Sequence, residues 1–415
     1  MRIAHLTQSY PPMISGASLM VAQLAQEMMN HGHDVLVIAA SDREYAYTQI
    51  NGKLKVVRLH SITNPLRVGQ RFMFASRRKV LKSLSEFQPD VIHIHDPFQL
   101  GSFGLEYANK HQIPTALTTH QLPWFIASYL SDKFFIREFV EKGLWLYARW
   151  LLRRFTSVIT PTKTVARVIK SKTGIIPKAV HYGINLDIFH NRKIVDEEKS
   201  IRSKYGLPLN AQIILHTGRL DADKLVQRVI LAAAGVIHNT NAHLLIVGDG
   251  QQKENLINLC KSLGIDSRTH FTGFIADKTE LARMYRTSNV FVTASEIETQ
   301  GIVILEAAAC GLPIVAVKAT CIPEVVHEAE NGFLSEPGDI EGLSQSIQKI
   351  LEEPLTAHKM ESKSIAIAEK FSIETSFLEH KKLYKTLLSQ KFRQVPSLSS
   401  KNLKPPFVSG NKELR

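Results

Sequence analysis

Two tandem α/β domains, each a doubly wound and mostly parallel sheet, are what this sequence predicts. Apolar strand-like runs alternate with amphipathic helical stretches, and the alternation restarts after a polar segment near 189–200. A chain of 415 residues is also too long for one ordinary core. Residues 1–190 are therefore expected as one domain and 200–393 as the next, with a ligand cleft between them. The Ser-, Lys- and Pro-rich stretch 394–415 is expected to be a disordered tail.

In the first half, strands are expected at Ile3 to Thr7, Asp34 to Ala40, Val56 to Leu59, Val91 to His95, Thr115 to Thr119 and Ser157 to Thr160. Helical stretches fall between them, near 17–31, 69–87, 98–111, 133–155 and 163–172. Repeated strand-helix-strand units require a parallel sheet covered on both faces. The segment from Phe189 to Ser200 is polar and reads as a linker. Strands resume at Ile213 to Gly218, Ala242 to Val247, Thr269 to Gly273, Val290 to Thr293 and Pro313 to Val317. Helices are expected near 224–238, 251–263, 278–287, 301–310 and 339–352.

Composition narrows the function classes. The chain opens directly on a strand pattern, so no cleavable leader is expected. Two uncharged stretches, Val229 to Gly248 and His111 to Ser131, are broken by polar residues or proline and are not membrane spans. Cys260, Cys310 and Cys321 lack metal-ligand spacing and cannot all pair, which points to a reducing cytoplasm. The net charge of +13 is uneven: residues 1–190 hold 23 Lys+Arg against 12 Asp+Glu, and the rest hold 28 against 26. The first half is expected to face an anionic partner, either a phospholipid surface or nucleic acid. No recognition module for nucleic acid is present, so none is expected to bind.

Glu298-Thr-Gln-Gly-Ile-Val-Ile-Leu-Glu306 is the most informative segment. It leads from a strand into a helix that begins near Gly301 and stops at Gly311. A helix start favours phosphate. Glu298 lies in that mouth, and the tilt of helical side chains aims Glu306 back toward it. Paired carboxylates beside an anion-friendly helix start suit a ligand with both phosphates and hydroxyls, although a first-turn Glu is often only a dipole partner.

Thr217-Gly-Arg-Leu-Asp-Ala-Asp-Lys224 also follows a strand. Arg219 and Lys224 there either clamp a diphosphate or solvate the loop. Asp221 and Asp223 alone offer too few hard ligands for a metal, and the neighbouring cations already supply positive charge. Gly16, after Pro11-Pro12, permits close backbone approach to a phosphate. His93 and His95 share a strand face, without the further ligands of a metal site, and His120 ends the next strand. The stretch from Phe134 to Phe155 interleaves aromatics with Arg137, Lys142, Arg149, Arg153 and Arg154, which suits either a membrane interface or core packing.

These motifs together resemble family four of the glycosyltransferases, which have the GT-B fold of two Rossmann-like domains. The likeness runs from Met1 to about Arg393 through the Pro-Pro turn with Gly16, His93-Ile-His-Asp, Thr118-Thr-His120, Tyr182-Gly-Ile-Asn-Leu-Asp-Ile-Phe189, Gly218 to Lys224, Phe271-Thr-Gly-Phe and Glu298 to Pro313. It implies a retaining enzyme that uses a nucleotide sugar and needs no metal or other cofactor. By the same resemblance, Arg219 and Lys224 hold the diphosphate, Glu298 the donor sugar and Glu306 the ribose. The amides of Thr299, Gln300, Gly301 and Ile302 complete the cradle, the backbone of Phe274 lies by the base, Gly16 approaches the donor, and His120 faces the sugar.

Two departures stand out. Ser15 precedes Gly16 where two glycines are common, and Thr299-Gln300 replaces the usual Gly-Phe, a place where donor or acceptor choice is expected to be written. Thr-Thr-His-Gln-Leu-Pro-Trp ahead of the basic helix is similar to members that glycosylate diacylglycerol. The expectation is a cytoplasmic enzyme, peripheral on the membrane, moving a hexose from a UDP-sugar to a lipid. The alternatives are a mannosyl- or glucosyltransferase acting on a saccharide or polyprenyl carrier, and a non-catalytic nucleotide-binding membrane scaffold.

Overall fold

The computed structural model describes residues 1–13, 16–63, 71–120, 134–192 and 195–391, and they form two compact units. The first comprises Met1–His181 and the segment from Ser376 on; the second is Tyr182–Thr375. The expected tail at 394–415 and Ser15 lie outside the described residues.

Strands of the first unit are β1 (Arg2–Leu6), β2 (Asp34–Ala40), β3 (Tyr47–Asn51), β4 (Leu54–Leu59), β5 (Ser61–Thr63), β6 (Arg71–Met73), β7 (Val91–Ile94), β8 (Thr115–Thr118), β9 (Ser157–Thr160) and β10 (Lys178–Ala179). Eight of them form one sheet in the order β10-β9-β8-β7-β1-β2-β4-β3, parallel except at the β3–β4 edge. Val35 through Ala40 have no exposure, as a strand covered on both faces requires. Helices follow where apolar periodicity predicts them, and Ser76 and Thr162 cap two of these by accepting from Lys79 N and Val165 N.

The second unit continues with β11 (Ile213–Thr217), β12 (His243–Val247), β13 (Thr269–Gly273), β14 (Val290–Thr293), β15 (Ile314–Val317) and β16 (Gly332–Ser335). They form an all-parallel sheet in the order β13-β12-β11-β14-β15-β16. Its core includes Leu215, Ile230, Phe291 and Leu305, all at most 1% exposed.

The structure corrects four expectations. The helix expected at 69–87 begins only at Arg77, because Arg71–Met73 pairs with Ser61–Thr63 and Ser76 starts the helix. The edge hairpin β3–β4 turns at Gly52-Lys53, between the paired Asn51 and Leu54, which apolar patterning passes over. The expected linker is in part the helix Val195–Lys204, with Asp196, Glu197 and Glu198 in its first turn and Arg202 and Lys204 in its last. Those charges complement the helix dipole, so a polar run became a helix.

The second domain does not run to 393 either. In the helix Ile373–Lys391, Phe377, His380, Leu383, Tyr384 and Leu387 are buried at helical spacing, and Tyr384 reaches His93 in the first unit. Its apolar face finds its partners nearly three hundred residues upstream. Among the described residues no helix is long and apolar enough to cross a membrane, and the three cysteines are buried free thiols.

Candidate active site

In the second unit β11 lies between β12 and β14, so the winding of the sheet reverses between β11 and β14. Open α/β sheets bind ligands beyond the carboxyl ends of their strands at such a switch point. The loop after β11 carries Arg219 and Lys224, and the loop after β14 carries Glu298. Lys224 Nζ donates to Glu298 Oε1 at 2.5 Å, with both side chains less than a fifth exposed. Arg219 pairs with Asp221 and, at 2.8 Å, with Asp223. The two aspartates therefore neutralise the Arg219 guanidinium.

Backbone bonds fix the first of these loops. Leu220 N donates to Asp249 O at 2.9 Å and Gln252 N to Leu220 O at 2.8 Å. Gly248 makes this approach possible: at φ +143° it would put a Cβ 1.8 Å from Gly218 O. Beneath the loop, His216 is buried and donates from Nδ1 to Val292 O at 2.9 Å. Burial lowers its pKa to about 4, so the ring is neutral.

Gly301, at φ +73°, starts the helix Ile302–Ala309, close to its expected boundary. Glu306 is 4% exposed and accepts from Lys278 Nζ and from Tyr285 OH, each at 3.1 Å. Tyr285 OH also lies 2.5 Å from Thr217 Oγ1 at the end of β11. Burial, with the charge of Glu306, raises the Tyr285 pKa well above its usual value, so this phenol is a neutral donor. Lys278 and Tyr285 were missed by sequence reasoning. They stand seven apart on one helix, a same-face spacing that could have marked them.

Thr299 and Ile302 are half-buried beside this helix start, and Phe274, just past β13, is 49% exposed. The Gln300 side chain takes another course. It is 2% exposed, accepts from Tyr182 N at 2.6 Å and donates to Tyr182 O at 2.8 Å. Its amide braces backbone, which corrects the expectation that this side chain selects donor or acceptor.

In the first unit the switch point falls between β1 and β7. Gly16 starts the helix Gly16–Asn30 after β1 and is exposed. Arg58, also missed, is 3% exposed and donates to Pro11 O and to Ala40 O, which holds the loop that leads toward Gly16. His120, half-buried after β8, accepts or donates at Nε2 to His95 Nδ1 at 3.2 Å, and His95 Nε2 meets His5 Nδ1 at 3.1 Å. His5, His93 and His95 place nitrogens within 4.8 Å of one another. Both His93 nitrogens are nevertheless taken, by Tyr384 OH at 2.6 Å and Thr118 Oγ1 at 2.7 Å. The cluster reads as a hydrogen-bonded stack in which, among the described residues, only His5 Nε2 has no partner.

Residues 14–188 match the family model described as Glycosyltransferase Family 4, and residues 197–366 that described as Glycosyl transferases group 1. The chain is 29% identical over 319 residues to an alpha-monoglucosyldiacylglycerol synthase of Streptococcus pneumoniae, covering 76% of this chain and 71% of the relative. It is 26% identical over 342 residues to that of Acholeplasma laidlawii, covering 80% and 84%. Among solved structures, sucrose-phosphate synthase from Thermosynechococcus elongatus superposes with a TM-score of 0.75 at 21% identity, over 94% of this chain and 99% of that one. Anabaena HepE in complex with UDP-glucose gives 0.74 at 22% identity, over 93% and 100%. With a family match in each unit, two Rossmann-like sheets, and cations and carboxylates gathered at a strand switch point, the chain is an enzyme that belongs to the family 4 glycosyltransferases of the GT-B fold.

Proposed function

We propose that this enzyme moves a hexose from a UDP-sugar to a lipid acceptor such as diacylglycerol, with retention at the anomeric carbon. The observation that carries the donor assignment is the Lys224–Glu298 pair beside Arg219 at the switch point of the second unit. The diphosphate draws Lys224 and Arg219 to itself, and Glu298, released from its lysine, accepts from sugar hydroxyls. The bond from the anomeric carbon to phosphate oxygen breaks, and the cations hold the charge that builds on the leaving UDP. The acceptor oxygen joins the same face of the sugar, and its proton passes to the departing phosphate. No metal or cofactor enters this scheme.

Support for a lipid acceptor comes from two sources. Two relatives carry the name alpha-monoglucosyldiacylglycerol synthase. In the helix Phe134–Leu152, Phe139 is 81% and Leu146 59% exposed, and exposed Lys142 and Arg149 share their face. Apolar and basic groups on one solvent face suit the interface of an anionic bilayer, which supports the reading of a peripheral enzyme on the cytoplasmic leaflet.

The test is a donor screen by UDP or GDP release, with diacylglycerol vesicles present and absent, followed by recovery of labelled sugar. UDP release that depends on vesicles, with label in the lipid, is the expected result. Label only in a soluble glycan overturns the lipid acceptor, and release of GDP alone overturns the UDP donor.

A further inference from the structure

Glu298 is held by its backbone as well as by Lys224, and from the other side of the sheet order. Glu298 N donates to Thr320 Oγ1 at 3.2 Å, and Cys321 Sγ donates to Glu298 O at 3.3 Å. Thr320 and Cys321 follow β15, the neighbour of β14, whereas Lys224 follows β11 on its opposite flank. Cys321 has no exposure, and burial, with the charge of Glu298, raises its pKa, so it remains a thiol with a proton to donate. Every one of these residues belongs to the second unit.

Thr320 makes its contact from a strained backbone. Its φ is +44°, in the left-handed region, where a β-branched residue is an outlier. Ile322 N donates to Ala319 O at 3.1 Å, and Cys321 has φ −91° and ψ −2°, so Ala319 to Ile322 is a tight turn with Thr320 at its first central position. A positive φ at that position favours Gly, which takes the turn without strain. What Thr320 has and Gly lacks is the hydroxyl that meets Glu298. Strain of this kind persists only where the surroundings over-determine it, and it gathers at functional sites.

We propose that Thr320 is a positioning residue that, with Cys321, keeps the Glu298 backbone fixed when a diphosphate draws Lys224 away, so that the freed carboxylate stays in place for the donor sugar. The inference rests on the transferase reading for its ligand, but the clamp on Glu298 is a property of the free protein.

The experiment combines amide hydrogen exchange, read by NMR on the full chain, with kinetics on UDP-glucose and diacylglycerol vesicles. The Glu298 amide should be protected in the wild type and exchange about ten-fold faster in Thr320→Val, which keeps the branched shape but cannot accept. Thr320→Ser, which keeps the hydroxyl, should exchange as the wild type does. Equal exchange in wild type and Thr320→Val overturns the clamp. In Thr320→Val kcat should fall about ten-fold, the direction expected for a misplaced sugar contact, with the Kd for UDP alone unchanged. Thr320→Ser should restore kcat. A Thr320→Val protein that folds and keeps full kcat overturns the positioning role. Should that variant fail to fold, Thr320→Gly, which adopts the turn freely and also lacks the acceptor, carries the same expectations. Where no donor turns over in the wild type, the transferase reading fails and exchange at Glu298 alone decides the clamp.

Discussion

Lys224 and Glu298 meet at 2.5 Å across the two loops that leave β11 and β14, and thereby tie together both sides of the switch point. A pair held this way without ligand must be rearranged when a diphosphate competes for the lysine. A double-mutant cycle of Lys224→Met and Glu298→Gln, read by chemical denaturation, should give a coupling of about 1–2 kcal/mol in the free protein. Saturating UDP should reduce that coupling, and an unchanged value would show that the lysine does not turn to the nucleotide.

Gln300 is a brace. Gln300→Leu leaves Tyr182 N–H and C=O without their side-chain partners. It should destabilise the protein by about 1–3 kcal/mol, the cost of unpaired buried polar groups. Donor preference should be unaltered, as checked by denaturation together with competition between UDP-sugars.

Gly301→Ala places a Cβ at φ +73°, 3.0 Å from Ile304 Cδ1. A left-handed alanine costs about 1–2 kcal/mol. Since the strain falls at the start of the helix between Glu298 and Glu306, donor KM should rise along with the loss of stability. Steady-state kinetics beside a thermal melt checks both.

His5, His216 and His380 are buried and neutral, with pKa values lowered by burial to about 3, 4 and 4. Below about pH 6.5 the unfolded chain takes up protons at these positions, whereas the folded chain does not until about pH 4. Their contribution is thus fully present above about pH 6.5 and is lost as pH falls through that window. Urea midpoints should drop from about pH 7.5 to about pH 5; a constant midpoint would contradict the burial of neutral rings.

Phe139→Ser with Leu146→Ser removes exposed apolar groups from the helix Phe134–Leu152. Each apolar side chain inserted in an interface is worth about 1.5–3 kcal/mol when fully buried. Cosedimentation with vesicles rich in anionic lipid should weaken by at least about ten-fold, and the thermal midpoint should stay unchanged.

The sheets were legible because strands covered on both faces are nearly uninterrupted apolar runs, and Asp34–Ala40 and Val290–Thr293 begin and end where the pattern places them. The loops that hold Arg219, Lys224 and Glu298 were legible for the same reason, since they leave the carboxyl ends of those strands. Polar helices were not. Val195–Lys204 depends on charge order along the helix, and Ile373–Lys391 on partners distant in sequence. The role of Gln300 was also hidden, because a loop amide gives no local sign that it will be buried against Tyr182. Lys278 and Tyr285 join Glu306 only through the tertiary fold.

The central claim is that Arg219 and Lys224 hold the donor diphosphate in the second unit. Transfer of label from UDP-glucose to diacylglycerol in vesicles, compared between wild type and Arg219→Ala, tests it most directly. Wild type should label the lipid, and the variant should lose about 10²–10³-fold in kcat, the scale for removing one charge-stabilising donor. An Arg219→Ala enzyme that binds UDP-glucose and turns over at the wild-type rate would contradict the account.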